Sequence, residues 1–360
     1  MPVKLAVKKA IYNYDSQEKL EDAKIIGGNP NGIISFNQCP QSWAYPLYKN
    51  MEDRTWFPRQ INISKDKVNY SKLPDEVKRA YDLVLSQLIT NDSIQTNQLM
   101  DSINQYVTSP VVNACLSHQA LEEARHAESY AVMAEDICQD TNRIYELYKH
   151  DEELFLKNKA VADMYNILYQ GTTPTEKDIL LAFVANQVLE ELVFPGGFVF
   201  FYSIEQYMPG SSAMVKEING DETLSHVPLF QNIFNTAIKE TFNGVIPEEV
   251  VEKAHIMIKH MCEAEIRWTT YVTKGILGFS EHTIKVFIES QANSVCKNLK
   301  LPLLYPVVDL KDNPLRKLML DHLKGGEVES KTMFFEENAT EYAKGNLDMN
   351  VDLGSVNWDD

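Results

Sequence analysis

The amino-acid sequence predicts an all-α bundle of about eight helices. Three observations carry this. Apolar residues recur at helical spacing from Leu73 to Leu299. Clusters holding Pro or Gly separate the runs, and several runs open on Pro and acids, as helix first turns do. No stretch repeats another, which excludes a stacked solenoid.

In chain order, residues 1–45 read as an irregular N-terminal arm, broken by Gly27-Gly28-Asn29-Pro30-Asn31-Gly32. Trp56-Phe57-Pro58 leads into Ile61 to Lys65, where apolar and polar residues alternate as in an extended segment. Leu73-Pro74-Asp75-Glu76 starts a helix that runs to about Met100, and Pro110 starts another to about Ile137. Shorter helical stretches fill Thr141 to Tyr169. A long helix covers Thr175 to Tyr207, with a kink or bulge expected at Pro195-Gly196-Gly197. Further helices cover Ser211 to about Phe234, Pro247 to about Leu277 and Ser280 to about Leu299. The helical domain is therefore placed at 46–310 and an acidic C-terminal tail at 311–360. From Gly325 onward the tail carries nine Asp/Glu against two Lys, so it is expected to be mobile in isolation. It also carries Phe334, Phe335, Tyr342 and Trp358, which are costly to leave in water and suit a peptide that orders on a partner.

Composition narrows the function. With Lys+Arg 34 against Asp+Glu 51, the net charge of -17 argues against a nucleic-acid partner. Five cysteines without a Cys-x-x-Cys pair read as reduced thiols of a cytoplasmic protein, not as a disulfide frame or zinc cluster. The first residues have no apolar core with a cleavage site, and no run of about 18 apolar residues is seen, so neither a signal peptide nor a membrane span is expected. No Gly-rich phosphate loop is present, so no nucleotide site is expected on this chain.

The chemistry concentrates on a few helix faces. Glu123 and His126 are three residues apart and Tyr130 follows by four, which aligns a carboxylate, an imidazole and a phenol on one side of a helix. Alone, a Glu-x-x-His pair reads as a surface pair. Asp92 on the preceding helix, Glu190 on the long helix and Glu222 with His226 on the next add further acids and a second imidazole. Acids among apolar neighbours are costly unless paired or metal-bound. Carboxylates and imidazoles from four successive helices are the ligand pattern of ferritin-like di-metal bundles.

On these residues the chain resembles the radical-generating small (β) subunit of class I ribonucleotide reductase, from about Trp56 to Tyr342. The resemblance rests on Trp56-Phe57-Pro58, on Asp92-Ser93-Ile94-Gln95, on Glu123, His126 and Tyr130, on Glu190 with Phe194 and Phe198, on Asp221-Glu222, and on Phe334-Phe335-Glu336-Glu337 with Tyr342. The family spaces its last pair as Glu-x-x-His, whereas His226 follows Glu222 by four. Both spacings face one side of a helix, and a local bulge would accommodate the extra residue.

The resemblance implies a ferritin-like fold and a metal set of Asp92, Glu123, His126, Glu190, Glu222 and His226. That set would hold two Fe, two Mn or mixed Mn/Fe ions. It implies oxygen or superoxide activation to a tyrosyl radical on Tyr130 or a metal-centred radical, and a relay through Trp56 and Asp221 and then Tyr342 to the large (α) subunit, where ribonucleotides are reduced. It further implies a homodimer, with a flavoprotein activator left open. The rival readings are a ferritin-like di-metal oxidase of another substrate, which needs no relay tyrosine in a tail, and an iron-storage or structural bundle.

Overall fold

In a computed structural model, residues 4–168 and 173–323 are described. They hold fourteen α-helical segments: α1 (Ala44–Asp53), α2 (Ser64–Asn69), α3 (Asp75–Gln98), α4 (Asn104–Tyr106), α5 (Pro110–Val132), α6 (Thr141–Glu146), α7 (Glu152–Tyr165), α8 (Glu176–Val188), α9 (Phe194–Ser203), α10 (Pro209–Asp221), α11 (Val227–Phe242), α12 (Glu248–Val272), α13 (Glu281–Asn298) and α14 (Pro314–Leu323). No strand occurs among the described residues, only an isolated bridge between Leu5 and Thr175.

Helix α3 packs on α5 and α7, and α8 packs on α11 and α12. Residues 179–202 are buried throughout. Glu176–Ser203 is long and apolar enough to cross a membrane by composition alone, but its most apolar window lies wholly inside the bundle. It is the central column of the core. Phe194, Phe198, Phe200 and Phe201 are buried there, each contributing about 1.5–3 kcal/mol of apolar burial.

The bulge expected at Pro195 is a π turn, Leu189–Val193, directly before it. Two other π turns, Leu99–Ile103 and Met133–Cys138, lie elsewhere among the described residues; the second of the two that bear on the site, Glu222–His226, joins α10 to α11. Each of the two at the site is followed two residues later by a proline. Proline lacks an N–H, so the carbonyl four residues earlier loses its helical partner. Pro195 frees the Glu191 carbonyl, which accepts from Gln291 Nε2 at 3.1 Å. Pro228 frees the Leu224 carbonyl, which accepts from Asn50 Nδ2, also at 3.1 Å. Side-chain amides from other helices thus satisfy the groups each proline leaves open.

Three expectations change. The Ile61 to Lys65 alternation is not extended strand: Asn62 Oδ1 accepts from the Ser64 amide at 3.0 Å and α2 begins there. Helix α11 continues past Phe234 to Phe242. Helix α14, within the span read as tail, packs on α9 and α10 through buried Leu315 and Met319, and its His322 ring stacks on Tyr202 at 4.0 Å. The N-terminal arm is irregular but anchored, since the Ile25 amide donates to Glu240 Oε2 at 2.7 Å. Phe334, Phe335, Tyr342 and Trp358 lie outside the described residues.

Candidate metal centre

Four helical columns bring the six expected ligands together. Asp92 comes from α3, Glu123 and His126 from α5, Glu190 from the first π turn and Glu222 and His226 from the second. A π turn closes i→i+5 instead of i→i+4, so it is wider by one residue. That is how the four-residue spacing of Glu222 and His226 still faces inward: Glu222 Oε2 lies 2.6 Å from His226 Nδ1. All six side chains are buried.

They form two overlapping groups. Glu123, Glu190, Glu222 and His226 offer atoms within 4.8 Å of one another, as do Asp92, Glu123 and His126. Glu123 belongs to both. Its Oε2 lies 3.5 Å from His126 Nδ1 and its Oε1 lies 3.3 Å from His226 Nδ1. Glu222 Oε1 also approaches His126 Nδ1, at 3.2 Å.

The donor atoms fit cations. Both Asp92 oxygens, Glu123 Oε2, Glu190 Oε2, Glu222 Oε1 and His126 Nδ1 are buried without a hydrogen bond. An unpaired buried carboxylate oxygen costs about 1–3 kcal/mol or more. Five such oxygens and an imidazole nitrogen converging on one place are stabilised by positive charge, and carboxylate with imidazole suits iron or manganese. The electrostatics of the protein alone agree. Burial, then the neighbouring Glu123 charge, pushes Asp92 well above the usual carboxylate range; burial with Glu222 does the same to Glu190 and raises Glu123. Glu222 is buried too, but the two imidazoles beside it hold it low. Burial alone would lower His126; its contact with Asp221 and the neighbouring carboxylates of Glu123 and Glu222 outweigh it.

The far side of each imidazole is also held. His126 Nε2 lies 3.1 Å from Asp221 Oδ2, and Trp56 Nε1 donates to the same oxygen at 2.8 Å. Trp56 and His126 stack with ring centres 6.4 Å apart. Both residues singled out beside the ligands are therefore joined to one of them. His226 Nε2 lies 3.0 Å from Glu122 Oε2, and His118 Nε2 reaches the other Glu122 oxygen at 3.5 Å. Glu122 and His118 were missed in the sequence. Their signal was helical spacing, with His118 four before Glu122. Gln119 and Asn186 were missed as well, and Gln95 stood in the Asp92 motif without a role; each sits within one turn of an expected ligand. Glu191, next to Glu190, is buried and turned away, accepting from Asn298 Nδ2 and Gln187 Nε2, both at 2.7 Å, and from the Ser294 hydroxyl.

Tyr130 is fully buried and its hydroxyl makes no hydrogen bond. Burial, then the charges of Asp92, Glu222 and Glu123, keep its phenol protonated far above the usual range. Phe194, Phe198 and Ile218 are buried as well.

Fold and site together define a ferritin-like bundle protein whose buried carboxylate and histidine cluster fits a di-metal centre. The comparisons agree with that class and narrow it. The ribonucleotide reductase small chain family matches residues 33–314. The ribonucleoside-diphosphate reductase subunit beta of Treponema pallidum is 34% identical over 342 residues, 94% of this chain and 95% of that one. The subunit of the same name from Halalkalibacterium halodurans is 30% identical, over 94% of this chain and 97% of that one. The ribonucleotide reductase R2 subunit of Clostridium botulinum superposes with a TM-score of 0.78 at 28% identity, covering 96% of this chain and 99% of that one. The chain belongs to the ribonucleotide reductase small chain family, as the radical-generating subunit of ribonucleoside-diphosphate reductase, and it pairs with a large subunit.

Proposed function

We propose that Asp92, Glu123, His126, Glu190, Glu222 and His226 hold two ions, iron, manganese or one of each, with Glu123 shared, and that Tyr130 carries the radical. The observation that supports this most directly is the convergence of unpaired buried donor atoms on one place. Two redox-active ions held there would supply the oxidising power, drawn from oxygen or superoxide, that neither the side chains nor a redox-inert ion possesses.

The chain's own residues do the rest. The bundle keeps Tyr130 dry, so a phenoxyl radical there is shielded from water and reductants. When oxidised, the phenol gives up an electron and its hydroxyl proton, and Asp92, whose charge acts on that phenol, is the carboxylate placed to receive the proton. Asp221 bonds Trp56 on one side and His126 on the other, which links the centre to an oxidisable indole for electron and proton exchange. Tyr342, in the acidic tail, would continue the relay to the large subunit, and the tail with Phe334 and Phe335 would dock there. A homodimer in the cytoplasm, activated with or without a flavoprotein, completes the reading.

The test is reconstitution. Protein stripped of metal is reloaded separately with Fe(II) and Mn(II) in air, with and without an added reduced flavoprotein. Bound metal is then quantified and the electron paramagnetic resonance spectrum recorded. About two ions per chain with a tyrosyl signal supports the assignment and names the metal. Metal without an organic radical moves the oxidant to the ions. No bound metal overturns the site.

A further inference from the structure

Beyond the ligands, the interior holds a run of side-chain amides that ends on one ligand oxygen. Glu190 Oε1 accepts from Gln119 Nε2 at 2.8 Å, from Asn186 Nδ2 at 3.3 Å and from Gln95 Nε2. The second Gln95 N–H goes to Asn186 Oδ1 at 2.8 Å. Gln98 Nε2 donates to Asn186 Oδ1 at 2.7 Å and to Gln95 Oε1 at 3.1 Å, and the Tyr165 hydroxyl reaches Gln95 Oε1 at 3.0 Å. The second Gln119 N–H goes to Glu123 Oε1 at 3.1 Å. All four amides are at most 2% exposed.

A primary amide has two N–H groups. Gln95, Gln98 and Gln119 each use both, so their orientations follow from the count of hydrogens. Donors from α3, α5 and α8 converge on Glu190 Oε1, while Glu190 Oε2 has no hydrogen bond and lies 3.6 Å from His226 Nδ1. Turning the carboxylate would strand up to three N–H groups in a dry interior, where an unmade hydrogen bond is costly.

We infer that Gln95, Gln119 and Asn186 clamp Glu190, committing Oε1 to amides and presenting Oε2 alone, so that Glu190 is a one-oxygen terminal ligand that neither chelates nor bridges. These amides are positioning residues for the Glu190, Glu222 and His226 metal position. The inference rests on the metal-centre reading above. A network that only satisfied a buried acid would leave metal affinity unmoved once the fold survived.

The experiment uses Mn(II) alone, without oxygen, on the full chain. Free Mn(II) is followed by electron paramagnetic resonance during titration of the wild type, Asn186→Leu and Gln95→Met, with folding checked by circular dichroism. A crystal structure of the Mn(II)-loaded wild type is solved alongside. The expected result is two Mn(II) in the wild type with Glu190 bound through Oε2 only. In each variant one position should weaken about 10- to 100-fold, as loss of supporting partners around a ligand does elsewhere, while the other is retained. Glu190 chelating or bridging in the wild type overturns the clamp, as do unchanged affinities in both folded variants. Should neither variant fold, the wild-type structure decides. A wild type that binds no Mn(II) overturns the metal-centre reading itself, an outcome distinct from a clamp that fails around two bound ions.

Discussion

Gln291 on α13 and Glu191 on the first π turn are joined across the bundle, side-chain amide to main-chain carbonyl, at 3.1 Å. That carbonyl is the one Pro195 leaves without a helical partner. The bond holds open the turn that carries Glu190. Gln291→Leu removes the donor and leaves a buried acceptor unpaired, at a cost of about 1–3 kcal/mol. Urea denaturation should show a lower midpoint at unchanged slope. An unmoved midpoint would mean that the turn needs no such support.

Because Glu123 is shared by both ligand groups, its loss should not be local. Glu123→Ala should empty both positions, whereas Asp92→Ala should spare the Glu190, Glu222 and His226 group. Metal analysis after dialysis separates the cases. One retained ion in Glu123→Ala would show that the carboxylate does not bridge.

Tyr130→Phe removes only a hydroxyl that has no hydrogen bond to lose, so stability and metal content should stay close to the wild type. The organic radical signal should disappear, and turnover with the large subunit should fall to background. A tyrosyl signal that persisted would place the radical on another tyrosine.

Trp56→Phe keeps an aromatic ring in place but deletes the N–H that meets Asp221. The metal and the Tyr130 radical should form, while turnover with the large subunit drops by at least about 100-fold, about 2.7 kcal/mol in barrier. Full turnover in this variant would remove Trp56 from the relay.

Lys157 and Glu265 make an ion pair fully buried between α7 and α12. A Cβ on Gly196 would collide with Glu265 Oε1, so this glycine leaves the room the pair needs beside the metal-bearing column. Lys157→Met strands a buried carboxylate and should cost about 3–5 kcal/mol. Lys157→Met with Glu265→Leu should recover most of that loss, since replacing both charges by apolar groups is often neutral. Thermal unfolding of the three proteins checks both statements. A double variant no better than the single would show that the pair stabilises beyond mutual neutralisation.

The amino-acid sequence by itself determined the class of the bundle and marked the six residues that the fold brings together. Helix periods, proline starts and the spacing of Glu123, His126 and Tyr130 are local properties, set within one or two turns of backbone. Even the interruption at Pro195 was legible, because proline's missing N–H is a local fact. Only the tertiary structure decided that Glu123 falls within both side-chain groups, that Glu191 turns away from Glu190, and that Glu122 and three amides bond to the cluster. It also decided that Asn62 starts a helix and that α14 packs onto α9. Each of these depends on which distant group arrives opposite. Trp56 meets Asp221 across 165 residues and Gln119 meets Glu190 across 71. Whether a polar side chain is solvated or buried with a partner is settled by those meetings, and no spacing within a single helix encodes them.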